Sequence, residues 1–261
     1  MNTSERIIVG NLESSYLSLL DRMFLEKYAK ENPTPKDDPG TAVYFRHGND
    51  FIFLTDALVP TKKSRSFCKD APHGFYLGGT NGFIRTANEL LAISDERLKF
   101  FKPFPSGRAH RDEGGNLRLV FEREFLEEVF VFALDHSAYY VPNGIPNGSE
   151  TRLNGEVIGI KIKSEEPTKL GELHELGYFV NEPEKLLELH VEWNISGLSV
   201  PYSVLYTEDW FRGGWPGIPV SVLSLETGKM VGVFAGQQGF VPIDWVHHPS
   251  VENYLGPKRY L

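Results

Sequence analysis

Apolar and polar positions alternate with two different periods along this chain, and the changes of period mark out its elements. Between residues 11 and 32, Leu12, Tyr16, Leu19, Leu20, Met23 and Phe24 recur at helical spacing, and the stripe stops before Pro33. This predicts an amphipathic helix whose apolar face serves core packing or a subunit contact. Residues 33 to 40, PTPKDDPG, read as a connecting loop. TAVYFRHGNDFIFLTD, residues 41 to 56, gives two apolar strands joined at His47-Gly48-Asn49, a hairpin composition. A glycine-rich turn from Gly78 to Gly82 follows, then a short helix around residues 86 to 93. EVIGIKIK, residues 156 to 163, alternates with period two and predicts a strand. ELGYFVNEPEKLLEL, residues 175 to 189, predicts a strand and then a short helix, with Pro183 in its first turn.

The segment FEREFLEEVFV, residues 121 to 131, carries the most chemistry. Glu124, Glu127 and Glu128 are three and four residues apart, so one helical face can present all three carboxylates. At about 100° per residue, Glu124 and Glu128 fall on the side of Leu117, Phe121 and Phe125. A purely solvated acidic face would set its glutamates opposite the phenylalanines. Carboxylates crowded beside apolar surface repel one another unless a positive group joins them. A divalent cation is the simplest such group. The plainer alternative is an amphipathic helix in which Arg123 and Glu127 make an ordinary i,i+4 ion pair.

Upstream lies FPSGRAHRDEGGN, residues 104 to 116, where Gly107 is followed after five residues by Glu113, and Asn116 offers a helix N-cap. Together with Arg-Glu-Phe-Leu-Glu-Glu, this resembles the Nudix box: Gly, five residues, Glu, seven residues, Arg-Glu-apolar-any-Glu-Glu-any-Gly-apolar. Here the Glu113-to-Arg123 spacer is two residues longer, Ser106-Gly107 stands where many members have Gly-Gly, and Phe130 takes the place of the last glycine. The resemblance covers roughly residues 40 to 190. It implies an α/β fold, a Nudix-like α/β/α sandwich, that binds Mg²⁺ or Mn²⁺ and cleaves a phosphoanhydride in a nucleoside diphosphate derivative or nucleotide. By the same resemblance Glu124, Glu127 and Glu128 are the metal ligands, Arg123 pairs with an acid and holds the box in shape, and Glu113 matches the loop glutamate. Glu127 or Glu113 would take the proton from water. Arg108, His110 and Arg111 lie in the box loop and are expected to contact phosphate. The competing expectation is a catalytically silent Nudix-like module that binds a nucleotide or a protein partner.

Residues 191 to 261 exceed such a core and carry Trp193, Trp210, Trp215 and Trp245. Strands are expected around SVLYTED, PVSVLSL and KMVGVFAG, the last two joined at Glu226-Thr227-Gly228. The loop Trp210-Phe211-Arg212-Gly213-Gly214-Trp215 could hold a base on its aromatics and a phosphate on Arg212, or could serve as packing or a subunit contact. The expected organisation is an N-terminal helix and loop (1–40), a Nudix-like core (41–190) and an aromatic β-rich C-terminal extension packed on it (191–261).

Net charge narrows the partners. At −8, the chain lacks the phosphate-neutralising excess that broad nucleic-acid binding needs. A nucleotide-like small molecule is the expected partner, a homodimer is possible, and no membrane partner is expected. No apolar run is long enough to span a bilayer, and MNTSERIIVG lacks the basic and apolar regions of a secretory signal. The single cysteine, Cys68, has no intramolecular disulfide partner, which points to a cytoplasmic setting. Lys62, Lys63 and Arg65 read as a solvated loop. No zincin histidine pair and no Gly-x-Ser-x-Gly nucleophile elbow occurs.

Overall fold

The computed structural model describes residues 8–95, 100–102, 104–133, 139–140, 144–145, 152–153, 156–157, 171–196, 202–206, 218–224, 226, 230–234 and 240–242. It is a mixed α/β protein, rich in strands and with few helices among the described residues. None of those helices is long and apolar enough to cross a membrane. Contacts divide the chain into two units: Met1–Asn81, Ser106–Phe121 and Glu175–His190 make the first; Gly82–Pro105, Glu122–His174 and Val191–Leu261 make the second.

The chain opens with β1 (Ile8–Leu12), a 3-10 turn at Ser14–Tyr16 and α1 (Leu19–Glu31), whose N-cap Ser18 accepts from the Asp21 amide. β2 (Thr41–His47) and β3 (Asp50–Val59) form the expected hairpin, and Gly48 at its turn has φ of +65°, a region that favours glycine. After a 3-10 turn at Thr61–Lys63 come α2 (Ser64–Asp70), β4 (Phe75–Arg85), β5 (Glu89–Asp95), β6 (Phe100–Lys102) and β7 (Ser106–Arg108). Then follow α3 (Leu117–Glu128), β8 (Val129–Ala133), β9 (Tyr139–Tyr140), β10 (Arg152–Leu153), β11 (Glu156–Val157), β12 (Glu172–Asn181) and β13 (Leu186–Asn194). The last described elements are β14 (Tyr202–Tyr206), β15 (Ile218–Ser224), β16 (Met230–Phe234) and β17 (Phe240–Pro242).

In the first unit β1 runs parallel to β3, and β2 lies antiparallel between β3 and β4. Successive strand residues face opposite sides of a sheet. Val43, Leu54 and Leu77 therefore join one core with Tyr28 of α1 and Phe67 of α2. Their neighbours Tyr44, Phe53 and Gly78 look the other way, towards Gly114 and Leu117 at the start of α3. β7 is laid on β4, pairing Gly79 with Arg108 and Thr80 with Gly107.

In the second unit β5 pairs with the end of β4, with β6 and with β15. β14 joins β15 to β8, and β16 joins β15 to β17. The strands expected in the C-terminal portion are present, and they pair with β5 and β8. Trp193 is fully buried, edge-on to Phe125 with ring centroids 5.2 Å apart.

Several expectations from the sequence are corrected. The helix around 86 to 93 is β5: Leu91 and Ala92 are buried where it pairs with β4 and β15, and that tertiary demand overrides local helical preference. The turn at Gly78 to Gly82 is the middle of β4. Its glycines serve close packing, since a Cβ on Gly79 would sit 2.7 Å from the Gly107 carbonyl oxygen. Residues 175 to 189 form no helix. β12 and β13 are joined by a turn that holds Pro183, with Lys185 at φ of +50°. Lys62, Lys63 and Arg65 are exposed as expected, but on a helical segment. In the N-terminal stripe Leu12 lies on β1 and Phe24 packs on the core, while Tyr16, Leu19, Leu20 and Met23 are each more than half exposed. Of the strand expected at 156 to 163, Glu156 and Val157 are strand and the rest lies outside the described residues.

Candidate functional site

The loop between Gly107 and Asn116 is built on glycines. Ala109 donates to the Gly78 carbonyl at 2.9 Å, and its own carbonyl accepts from Ala42 at 2.8 Å, so the loop is stitched between β4 and β2. Gly114 is wedged against Phe53, where a Cβ would meet the ring at 2.3 Å, and its carbonyl accepts from the Tyr44 hydroxyl. Burial pushes the Tyr44 phenol far above its ordinary pKa, so it stays a donor. Asn116 caps α3 as expected, accepting from the Arg118 amide at 3.1 Å.

The loop residues hold one another. The Glu113 carboxylate accepts from the His110 amide at 3.0 Å and lies 3.9 Å from the His110 ring. Arg111 is exposed in the turn. Arg108 points its guanidinium at Glu188 of β13, 3.6 Å away.

The second group is on the C-terminal half of α3. Leu117, Val120, Phe121, Glu124, Phe125 and Glu128 are all buried, a continuous helical stripe in which two positions are carboxylates. Glu124 is 8% exposed and Glu128 4%. Glu127 lies off the stripe, its side chain 48% exposed. Arg123 reaches both, with Nη1 at 2.7 Å from Glu124 and 3.2 Å from Glu127. Arg123 thus joins Glu124 and Glu127, and the i,i+4 pair with Glu127 coexists with a shorter one to Glu124. Among the described residues no three His, Cys, Asp or Glu side chains come close enough together to hold a metal ion. α3 passes directly into β8, where Val129 pairs with Tyr206 and Phe130 with Leu205. Strand pairing ends this helix where the box signature uses glycine.

Arg212, Trp210, Trp215 and Trp245 lie outside the described residues. The sequence reading passed over Asn81, Glu188 and His190. The signal was present in LLELHVEWN, where Glu188, His190 and Glu192 alternate with buried Leu187, Leu189, Val191 and Trp193. Treating that run as the start of a helix hid its period of two. No protein-family model matches the chain, and no curated protein or solved structure matches it either.

Proposed function

We propose that this chain is a Nudix-like phosphoanhydride hydrolase acting on a nucleoside diphosphate derivative or nucleotide. In this reading residues 41 to 190 form an α/β/α sandwich, and residues 191 to 261 are a β-rich extension that helps to select the substrate. One observation carries the proposal: Glu124 and Glu128 occupy the buried, apolar stripe of α3. Acidic residues are almost never fully buried unless paired; Glu124 has Arg123 at 2.7 Å, and a merely solvated acidic helix would have turned both carboxylates outwards.

The donor set suits a hard divalent cation, because all three candidate ligands are carboxylates on one and a half helical turns. Glu124, Glu127 and Glu128 would hold Mg²⁺ or Mn²⁺, which would supply charge neutralisation for the diphosphate and a water of lowered pKa. Glu127 is the most exposed member of the set. Its side chain is 48% exposed, which leaves its carboxylate open to a ligand or a proton from solvent. Arg123 would keep Glu124 oriented meanwhile. Glu113, tied to His110, shapes the loop and is the alternative proton acceptor. Arg108, His110 and Arg111 would meet phosphate, and Arg212 and Trp215 would contact phosphate and base.

The competing reading is a catalytically silent binding module. Two observations favour it: the three carboxylates do not converge with Arg123 among them, and α3 runs into β8 without a glycine. A screen of nucleoside triphosphates, nucleotide sugars, dinucleotide cofactors and dinucleoside polyphosphates with Mg²⁺ separates the two. Release of phosphate or nucleotide supports the hydrolase. Binding without release supports the module.

A further inference from the structure

A second polar cluster sits on the face shared by β4, β7 and β13, wholly inside the first unit. Arg108 leaves β7 directly after Gly107, and Gly79 pairs with it across the ladder. Space for the guanidinium exists because position 79 has no side chain: a Cβ there would lie 3.3 Å from Arg108 Nη1. That nitrogen is 3.6 Å from Glu188 Oε1, with the arginine side chain 37% exposed and the glutamate 14%. The other oxygen of Glu188 lies 3.9 Å from His190 Nε2. His190 has two further neighbours, one on its ring face and one at the same nitrogen. Its ring stacks on Phe179 with centroids 4.0 Å apart and planes 18° apart, and Asn81 Nδ2 lies 3.3 Å from Nε2.

The order of exposure matters. The arginine faces solvent, and the carboxylate behind it is nearly covered. A half-exposed arginine braced from behind by a fixed carboxylate loses less freedom when it meets an anion, which is how pre-organisation raises affinity. Arginine is also the side chain best matched to phosphate oxygens.

We propose that Arg108 and Glu188 form a phosphate-recognition subsite: Arg108 contacts a phosphate of the substrate and Glu188 positions its guanidinium, with His190, stacked on Phe179, packed beside Glu188. The identification of that phosphate as part of a nucleoside diphosphate rests on the hydrolase reading above. Glu188 is a positioning residue, and it makes a prediction of unusual sign. It is a negative charge near a bound anion, so on Coulomb grounds alone its neutralisation should tighten binding.

The test is calorimetric titration of inorganic pyrophosphate into the full chain in metal-free buffer with EDTA, where no metal-dependent turnover interferes. Arg108→Ala should weaken binding at least about tenfold, the loss of a charge-assisted hydrogen bond. Glu188→Gln should also weaken it, by roughly threefold to tenfold, on the same scale. If Glu188→Gln does not fold, Glu188→Asp takes its place, with the same direction expected. Absence of pyrophosphate binding by the unaltered protein, affinity unchanged in the variants, or tightening in Glu188→Gln would each overturn the subsite. Pyrophosphate binding in this order without turnover of any nucleotide would leave the subsite standing and remove the hydrolase. Turnover with a KM indifferent to both residues would do the reverse.

Discussion

Arg123 Nη1 lies 2.7 Å from Oε1 of Glu124, a residue that keeps 8% of its surface exposed. The same nitrogen is 3.2 Å from Glu127, whose side chain is 48% exposed. One arginine thus makes a covered pair and an open pair, and the two should differ in energy. Arg123→Ala removes the 2.7 Å partner of a buried carboxylate and should cost roughly 3 kcal/mol, the low end for breaking a buried pair. Glu127→Ala breaks the open pair and should cost under about 1 kcal/mol. Urea denaturation of both variants measures this; equal small losses would mean that Arg123 does not secure Glu124.

Gly79 of β4 and Gly115 of the loop before α3 make a contrasting pair. A Cβ on Gly79 would lie 2.7 Å from the Gly107 carbonyl oxygen, a backbone atom that cannot rotate away. A Cβ on Gly115 would find its nearest neighbour at 3.7 Å. Gly79→Ala should therefore destabilise the protein by about 1–3 kcal/mol, as overpacking does. Gly115→Ala should be neutral or stabilise by up to about 1 kcal/mol through the unfolded chain. Thermal melts of the two variants moving together would contradict this account of how the box strand is seated.

Tyr44 ties the box loop to β2 through the Gly114 carbonyl. Tyr44→Phe keeps the ring and removes the donor, leaving a buried carbonyl short of that partner. The expected loss is about 1 kcal/mol, together with faster hydrogen exchange at the Glu113, Gly114 and Asn116 amides. Unchanged exchange there would show that other contacts fix the loop.

Asp38 provides a pH test. Partial burial works against its charge, but the Thr61 hydroxyl and the Gly40 and Thr61 amides donate to the carboxylate and hold its pKa below the ordinary aspartate value. A folded-state pKa below the unfolded one means a contribution that is complete above the unfolded value, near 3.9, and lost as pH falls through the folded value. Asp38→Asn should thus be less stable than the unaltered protein at pH 7, and the gap should narrow as pH falls below about 4. A gap that is constant with pH would remove the carboxylate's charge from the explanation.

The hairpin of β2 and β3 and the inward glutamates of α3 were legible because each follows from periodicity alone. Gly48 marks the turn, and a helix of 3.6 residues per turn puts Glu124 and Glu128 beside Phe121 and Phe125 whatever else the chain does. The element around Leu90 to Ile93 was not legible. Short apolar runs suit a helix or a buried strand equally, and the decision was made by β15, more than a hundred residues away in sequence. Gly78 and Gly79 look like a turn in sequence because glycine permits one. Their actual need, room for β7 and for Arg108, depends on a segment that arrives later. The arginine between the carboxylates could be read as an i,i+4 pair with Glu127, but the closer pair to Glu124 is set by side-chain direction, which spacing does not give.

Turnover tests the central claim most directly. Steady-state rates with Mg²⁺ should be measured across the nucleotide panel for the unaltered chain and for Glu127→Gln, which keeps the side-chain shape and removes its charge. The account predicts metal-dependent release of phosphate or nucleotide from at least one nucleoside diphosphate derivative. It also predicts at least a hundredfold lower turnover in the variant, within the roughly 10²–10⁴ expected for loss of a general base. No turnover by the unaltered chain with either Mg²⁺ or Mn²⁺, or equal turnover by the variant, would contradict it.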